Sequence, residues 1–518
     1  MTGLVEAFAG LGTKLAAHVL LSAAALLCGI ALALPLAIWS NRSARVASVA
    51  LGLASLVQTI PALALLALFY PVLVSLGSIS GLAIPALGFL PALLALTLYA
   101  LLPILRNAVT ARKQMDPEVL EAADAIGMTA WQKLRLVEAP LAMPFIVAGI
   151  RTAAVWTVGA ATLATMVGQP SLGDPIFAGL QIQNWALVLA GCSLAAGLAL
   201  GVDFLIGQIE AGLSFRRPWQ TGLAAAAILA GLVTCYVATV TPASPQRPRI
   251  IVGAKNFSEQ FILARLIGQR LEAQGYAVEY RDGLGSSVAY KALATGEIDA
   301  YVDYTGTLWA SEMKRTDQVG RAETLQAIGN WVSANGGVRL LGPLGFENAY
   351  AFVMRSEKSS RMGILTLDDL ARQSPHLVLG ADLEFLSRPE WQSVSQTYRF
   401  DFADTRRFAP SLMYNALASG DVDVISAFSS DGRIAADNLA TLPDPRRALP
   451  GYDAVLLVSQ RAAGDSRFVA AMRPMVNRIN VEQMRKANYA VDRDTDKQSP
   501  VEAARALGCA TKLLPCPQ

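Results

Sequence analysis

Charge is spread so unevenly along this chain that it divides the fold before any motif is read. Residues 1–240 hold 20 Asp, Glu, Lys and Arg, whereas residues 241–518 hold 63. With 53% hydrophobic and 16% charged residues over 518 positions, the whole is too apolar for one soluble globule and too charged for a chain immersed entirely in lipid. The expectation is a membrane half joined to a soluble half. Collagen-like, coiled-coil and disordered classes are excluded, and five Cys in 518 residues exclude a small disulfide scaffold. A net charge of +3 without a Lys/Arg run gives no footprint for nucleic acid.

Crossing about 30 Å of hydrocarbon takes roughly 20 helical residues. Six stretches qualify, near 15–39, 46–69, 82–104, 143–166, 184–207 and 221–240. The first is too long for a cleaved signal peptide and contains His18. Arg42 and Arg45, then Arg106, Arg112, Lys113, Lys133 and Arg135, then Arg216 and Arg217 fall in alternate connections, while 70–81 and 167–183 hold no Lys or Arg. Positive connections stay cytoplasmic, so the N-terminus and the soluble half are expected outside. Lys14 alone lies on the wrong side.

The connection between spans three and four reads as two short helices, with Pro117 in a first turn and Gly127 as the break. Glu121-Ala122-Ala123, then Gly127, then Val137-Glu138-Ala139-Pro140 resembles the EAA loop of ABC-transporter permeases in every spacing, with Ala139 where that family has Leu. A short helix after a glycine turn can seat in a partner's cleft and carry rigid-body motion into the spans. Gly149-Ile150-Arg151-Thr152 and Gly168-Gln169-Pro170-Ser171-Leu172-Gly173-Asp174 extend the resemblance to permeases of glycine betaine/choline/osmoprotectant importers, over residues 14–215. No Walker A pattern occurs in the chain, so the resemblance implies a separate ABC ATPase subunit.

After the Pro-rich linker 241–248 the hydrophobic period changes. Ile250-Ile251-Val252 reads as a buried strand, followed by a helix to about Ala273, a strand at 277–281, a helix at 286–295 and a strand at Ile298–Val302. That alternation implies a parallel sheet covered by helices. Ala292-Leu293-Ala294-Thr295-Gly296-Glu297-Ile298-Asp299-Ala300 recurs as Ala416-Leu417-Ala418-Ser419-Gly420-Asp421-Val422-Asp423-Val424, a helix end, a glycine cap and a strand. Two lobes facing a cleft would account for the echo; a common helix–Gly–strand phrase is the alternative.

Lys255-Asn256-Phe257-Ser258-Glu259-Gln260, Gly283-Leu284-Gly285-Ser286-Ser287, Tyr304-Thr305-Gly306-Thr307 and Phe428-Ser429-Ser430-Asp431-Gly432-Arg433 resemble the osmoprotectant-binding proteins of the same importers. The fold class implied is an all-α transmembrane permease of about six helices followed by an α/β two-lobed type II periplasmic-binding domain. The corresponding division is 1–218 for the permease, 219–248 for the sixth helix and linker, and 249–518 for the receptor, with crossings between lobes near 345 and 455.

A quaternary ammonium donates no hydrogen bond and spreads its charge over methyl groups, so aromatic faces suit it; a betaine carboxylate also needs cationic or hydroxyl donors. Carried over residue by residue, the resemblance implies Tyr304, Thr307, Tyr350, Phe428 and Tyr452 around the ligand, with Lys255 and Arg388 at its carboxylate. Phe428 departs from the Tyr more usual there. Tyr301, Tyr398 and Tyr414 read as structural. Two His and no Cys–His cluster speak against a metal site, and no cofactor or catalytic set is expected. His18 reads as a satisfied polar group and His376 as a surface residue before a strand. Asp203 is either functional or engaged in interfacial or helix packing. Cys28, Cys192 and Cys235 read as small apolar residues, and Cys509 and Cys516 could form a disulfide.

The expectation is therefore a fused permease and receptor of an ABC importer for a compatible solute (glycine betaine, choline, carnitine or similar), in a bacterial inner membrane and pairing as a homodimer through its permease half. Its rivals are an importer of a polar amino acid and a ligand-gated channel or sensor; the EAA spacing opposes the channel, and the aromatic set opposes the amino acid.

Overall fold

The computed structural model describes residues 7–8, 11–40, 43–82, 84–181, 184–240, 247–315, 317, 319–382, 385–493 and 495–516. Residues 1–177 with 185–245 form one compact unit, and 246–518 belong to a second. Most of the expected linker, 241–246, lies outside the described residues.

In the first unit, among the described residues, Gly12–Ser40, Phe89–Lys113, Ala130–Val167, Trp185–Ser214 and Pro218–Thr239 are long and apolar enough to cross a membrane. The second expected span, 46–69, is not one helix. Arg45–Thr59 and Ala62–Gly77 meet at a bend of 100°. Pro61 has no N–H to continue the ladder and forces Ile60 into extended backbone (φ −75°, ψ 125°). The expected connection 70–81 is correspondingly helical almost throughout, as part of Ala62–Ser80. Close approaches rest on small residues: a Cβ on Gly149 would stand 2.8 Å from the Asn107 Cβ and 2.9 Å from the Pro103 carbonyl oxygen.

Three titratable groups of this unit, His18, Asp203 and Lys14, have partners. His18, fully buried, lies 3.0 Å from the Val158 carbonyl and accepts the Leu172 N–H on Nδ1 at 3.3 Å. Asp203 is held by Arg151 through two bonds of 2.7 Å, with Glu210 3.3 Å from the same guanidinium, which places it in helix packing. Lys14 finds Asp174 at 3.2 Å.

The EAA segment begins as expected. Asp116 caps Pro117–Ala125 by accepting the Glu118 N–H, and Gly127 closes it at φ +77°. The second short helix is not separate. Ala130–Lys133 runs through one widened turn, Leu134–Glu138, into Ala139–Ala161. Pro140 cannot donate there, which accommodates the wide turn. Glu121 and Ala122 are exposed and Ala123 is buried, with Ile126, Trp131 and Leu136 also exposed.

The second unit has two lobes. Strands β1 (Arg249–Lys255), β2 (Ala277–Leu284), β3 (Ala300–Tyr304), β4 (Arg339–Glu347), β5 (Tyr350–Arg355), β6 (Val378–Asp382), β7 (Asp404–Phe408), β8 (Val424–Phe428), β9 (Leu439–Leu442) and β10 (Asp453–Val458) form two five-stranded sheets, ordered β2-β1-β3-β10-β4 and β7-β6-β8-β5-β9. Each is mixed rather than parallel: β10 runs antiparallel to β3 and β4, and β5 antiparallel to β8 and β9. These antiparallel strands carry the chain between lobes, at 348–349 and 443–452, and a crossing strand enters its sheet without the helical return that a parallel one needs.

The internal echo is structural. Gly296 (φ +76°) and Gly420 (φ +86°) each end a helix before a central strand. Asp299 accepts the Ile251 N–H on Oδ2 at 2.9 Å and donates its backbone N–H to Ile251, while Asp423 does the same with Val378 at 2.8 Å. Arg461 neutralises the first aspartate and Lys358 the second. At the C-terminus Cys509 and Cys516 are joined by a disulfide with Cα atoms 4.7 Å apart.

Candidate functional site: an aromatic cavity between the lobes

Strand ends and crossings converge on one cavity of about 210 Å³ in the receptor unit. All seven sequence-derived binding candidates line it: Lys255, Tyr304, Thr307, Tyr350, Arg388, Phe428 and Tyr452. Their placement follows from the topology. Lys255 and Tyr304 end the neighbouring strands β1 and β3, Phe428 ends β8, Tyr350 begins β5, and Tyr452 immediately precedes β10.

The rings form a continuous wall. Tyr350 lies 5.0 Å from Phe428 and meets Tyr452 edge-on at 5.8 Å, measured between centroids. Phe257, not among the residues expected from the sequence, stacks within 6.0 Å of Phe428 and 6.1 Å of Tyr304. It stands two residues beyond Lys255 in an already conspicuous stretch, so proximity was its signal. Gly306 is another omission. A Cβ there would lie 2.5 Å from the Tyr452 ring, so the glycine in Tyr-Thr-Gly-Thr makes room for that aromatic face. Ser286, Asn348, Asp382 and Phe408 complete much of the lining.

Two of the ring hydroxyls, those of Tyr304 and Tyr452, are engaged by carboxylates outside the cavity lining. Gln260 Nε2 donates to the Tyr304 oxygen at 3.0 Å, so the phenolic proton is left to donate to Glu259 Oε1 at 2.6 Å. Asn348 and Asn488 donate amide N–H groups to the same carboxylate, each at 3.0 Å. Tyr452 likewise donates to Glu390. Burial first, and the adjoining carboxylate second, push both phenols well above their ordinary pKa. Burial pushes the Glu259 carboxyl up, and its converging donors oppose that shift.

The two cations are compensated. Lys255 pairs with Asp303, whose second oxygen accepts from Tyr301 at 2.6 Å. Arg388 reaches across the cleft, 3.5 Å from Thr307 Oγ1 and 3.4 Å from Ser286 Oγ, with Glu390 at 3.6 Å. Tyr301 and Tyr398 pack as structural residues, Tyr398 donating to Asp444; Tyr414 lines a separate recess of about 60 Å³ behind Phe257 and Phe428, with Glu259, Asp431, Arg433 and Asp492. No cluster of His, Cys, Asp and Glu able to hold a metal is found among the described residues.

An apolar-walled recess with a few charged groups between two hinged lobes is a receptor geometry. Residues 248–507 match the substrate-binding domain of the ABC-type glycine betaine transport system, and residues 25–240 match the binding-protein-dependent transport system inner membrane component. The chain belongs to the glycine betaine transport family. Along 88% of its length it is 28% identical to the ergothioneine transport permease/ergothioneine binding protein of Helicobacter pylori strain G27, covering 82% of that protein. The permease half is 39% identical to the glycine betaine/carnitine/choline transport system permease protein of Bacillus subtilis strain 168, over 38% of this chain and 85% of that one. A solved glycine betaine/carnitine/choline ABC transporter structure is 24% identical, covers 51% of this chain and 99% of its own, and superposes with a TM-score of 0.45. Membership of the glycine betaine transport family makes this a multi-pass inner-membrane transport protein rather than a catalyst.

Proposed function

We propose that this chain is the permease and solute receptor of an ABC importer for quaternary-ammonium compatible solutes, with its receptor outside the membrane. The observation that carries this reading is the convergence of Tyr304, Tyr350, Phe428 and Tyr452 on one cavity that also holds Arg388. Ring faces take the trimethylammonium, each contributing about 0.5–2 kcal/mol. Arg388, Thr307 and Ser286 supply donors for a carboxylate. Lys255, whose Nζ stands 5.4 Å from the Tyr304 ring centroid, lends charge tempered by Asp303. Glu121, Ala122, Ala123, Gly127 and Pro140 form the segment that engages a separate ATPase, and the exposed Ile126, Trp131 and Leu136 offer it apolar surface. Two copies pair through their permease units.

Purified full-length chain in nanodiscs, titrated calorimetrically with glycine betaine, choline, carnitine, proline betaine, ergothioneine and histidine, tests the ligand class. Ergothioneine is included because it is itself a trimethylammonium betaine and names the relative that spans both halves. Binding of at least one quaternary amine, lost in Tyr304→Ala and Tyr452→Ala, is expected. Binding of histidine alone would remove the aromatic cage and leave the importer.

A further inference from the structure

Two of the cavity's tyrosines share an arrangement that the ligand alone does not require. Tyr304, on lobe one, sends its phenolic proton to Glu259; Tyr452, at the returning crossing, sends its own to Glu390 on lobe two. Both carboxylates are buried, with Glu259 3% and Glu390 2% exposed. Glu259 lies in the first turn of the helix Ser258–Ala273, and Glu390 in the first turn of Pro389–Tyr398, where helix N-termini favour negative charge. Glu259 accepts from a phenol and two amides, and these converging donors favour its ionised form against the burial that pushes its carboxyl up. A phenol that donates to a carboxylate carries more electron density on its ring, and a ring's attraction for a cation grows with that density. Of the charged side chains in the cavity lining, Lys255 and Arg388 are cations and Asp382 an acid, and Asp303 and Glu390 pair with those two cations.

We propose that Glu259 and Glu390 are specificity-determining residues: each stands behind a tyrosine, orients it and enriches its ring, so that the cavity selects a positively charged methylated group over a neutral group of the same shape. Neither carboxylate touches the ligand: Glu259 acts through Tyr304, and Glu390 acts through Tyr452 and through Arg388, 3.6 Å away. This rests on the quaternary-ammonium reading above and adds how that class is discriminated.

The test is a ratio of affinities between ligands of equal shape. Glycine betaine is compared with tert-butylacetate, and choline with neohexanol, in which carbon replaces the charged nitrogen. Full-length wild type, Glu259→Gln, Glu390→Gln and Tyr304→Phe are titrated in nanodiscs. The charged-to-neutral preference is expected to fall about three- to tenfold in each variant, while affinity for the neutral isostere changes less than about twofold. A purely structural role would weaken both members of a pair equally and leave the ratio unmoved; that result, or no change at all, overturns the proposal. Glu259 joins several segments, so if Glu259→Gln does not fold, Glu390→Gln and Tyr304→Phe decide. Wild type that binds no quaternary amine overturns the functional reading together with this one, whereas wild type that binds one with an unmoved ratio overturns this one alone.

Discussion

At the scale of single residues, the receptor is governed by what stands behind its rings. Gly306→Ala would drive a methyl group into Tyr452, and overpacking of this kind costs about 1–3 kcal/mol. Ligand affinity is expected to drop at least about tenfold by calorimetry, and the melting temperature to fall by about 2–4 °C for each kcal/mol of overpacking. Asp492 is a second such residue. Burial, then the neighbouring Asp431, push its carboxyl up to about 7, against Arg433, Ser258 and Lys497, which pull it down. The folded receptor therefore holds a proton that the unfolded chain releases, so this contribution is full below about pH 4 and is lost as pH rises through about 7. Asp492→Asn should flatten the decline in melting temperature between about pH 5 and about pH 8, read by scanning calorimetry of both proteins. Arg433, Glu259, Tyr414 and Lys497 surround that site in either protein.

At the scale of elements, glycine and proline decide where motion can be transmitted. Gly127 sits at φ +77°, and a Cβ added there would meet nothing within 4 Å, so Gly127→Ala costs only backbone strain, about 1 kcal/mol. Solute uptake by vesicles containing the ATPase partner is expected to fall, while the ligand Kd of the same preparation stays within about twofold. Elements also mark the limit of what the sequence made legible. The strong periods and caps (Ser258–Ala273 closed before Gly275, the paired Gly296 and Gly420) could be read directly, because local chemistry fixes them. The break at Pro61 was visible as a residue and missed as a consequence: hydropathy averages over a window, whereas one absent N–H bends the chain. The antiparallel entry of β5 and β10 was hidden for another reason, since strand direction depends on where a crossing returns and leaves no mark on an apolar run. In the cavity, ring residues stood out through their motifs. Glu390 did not, because its place behind Tyr452 arises from a contact 62 positions away.

At the scale of the whole molecule, the permease expectation is a homodimer. Light scattering of the detergent-solubilised chain, corrected for bound detergent, should give twice 54.9 kDa; a monomer in nanodiscs that nonetheless supports uptake would contradict it. The helix Pro218–Val240 ends only eight residues before β1 begins at Arg249. A receptor on so short a leash never diffuses away, and its local concentration at its own membrane is of millimolar order, set by tether length rather than by expression. Docking is then first order. Transport velocity should scale with the copy number of this one polypeptide, because each permease unit carries its own receptor.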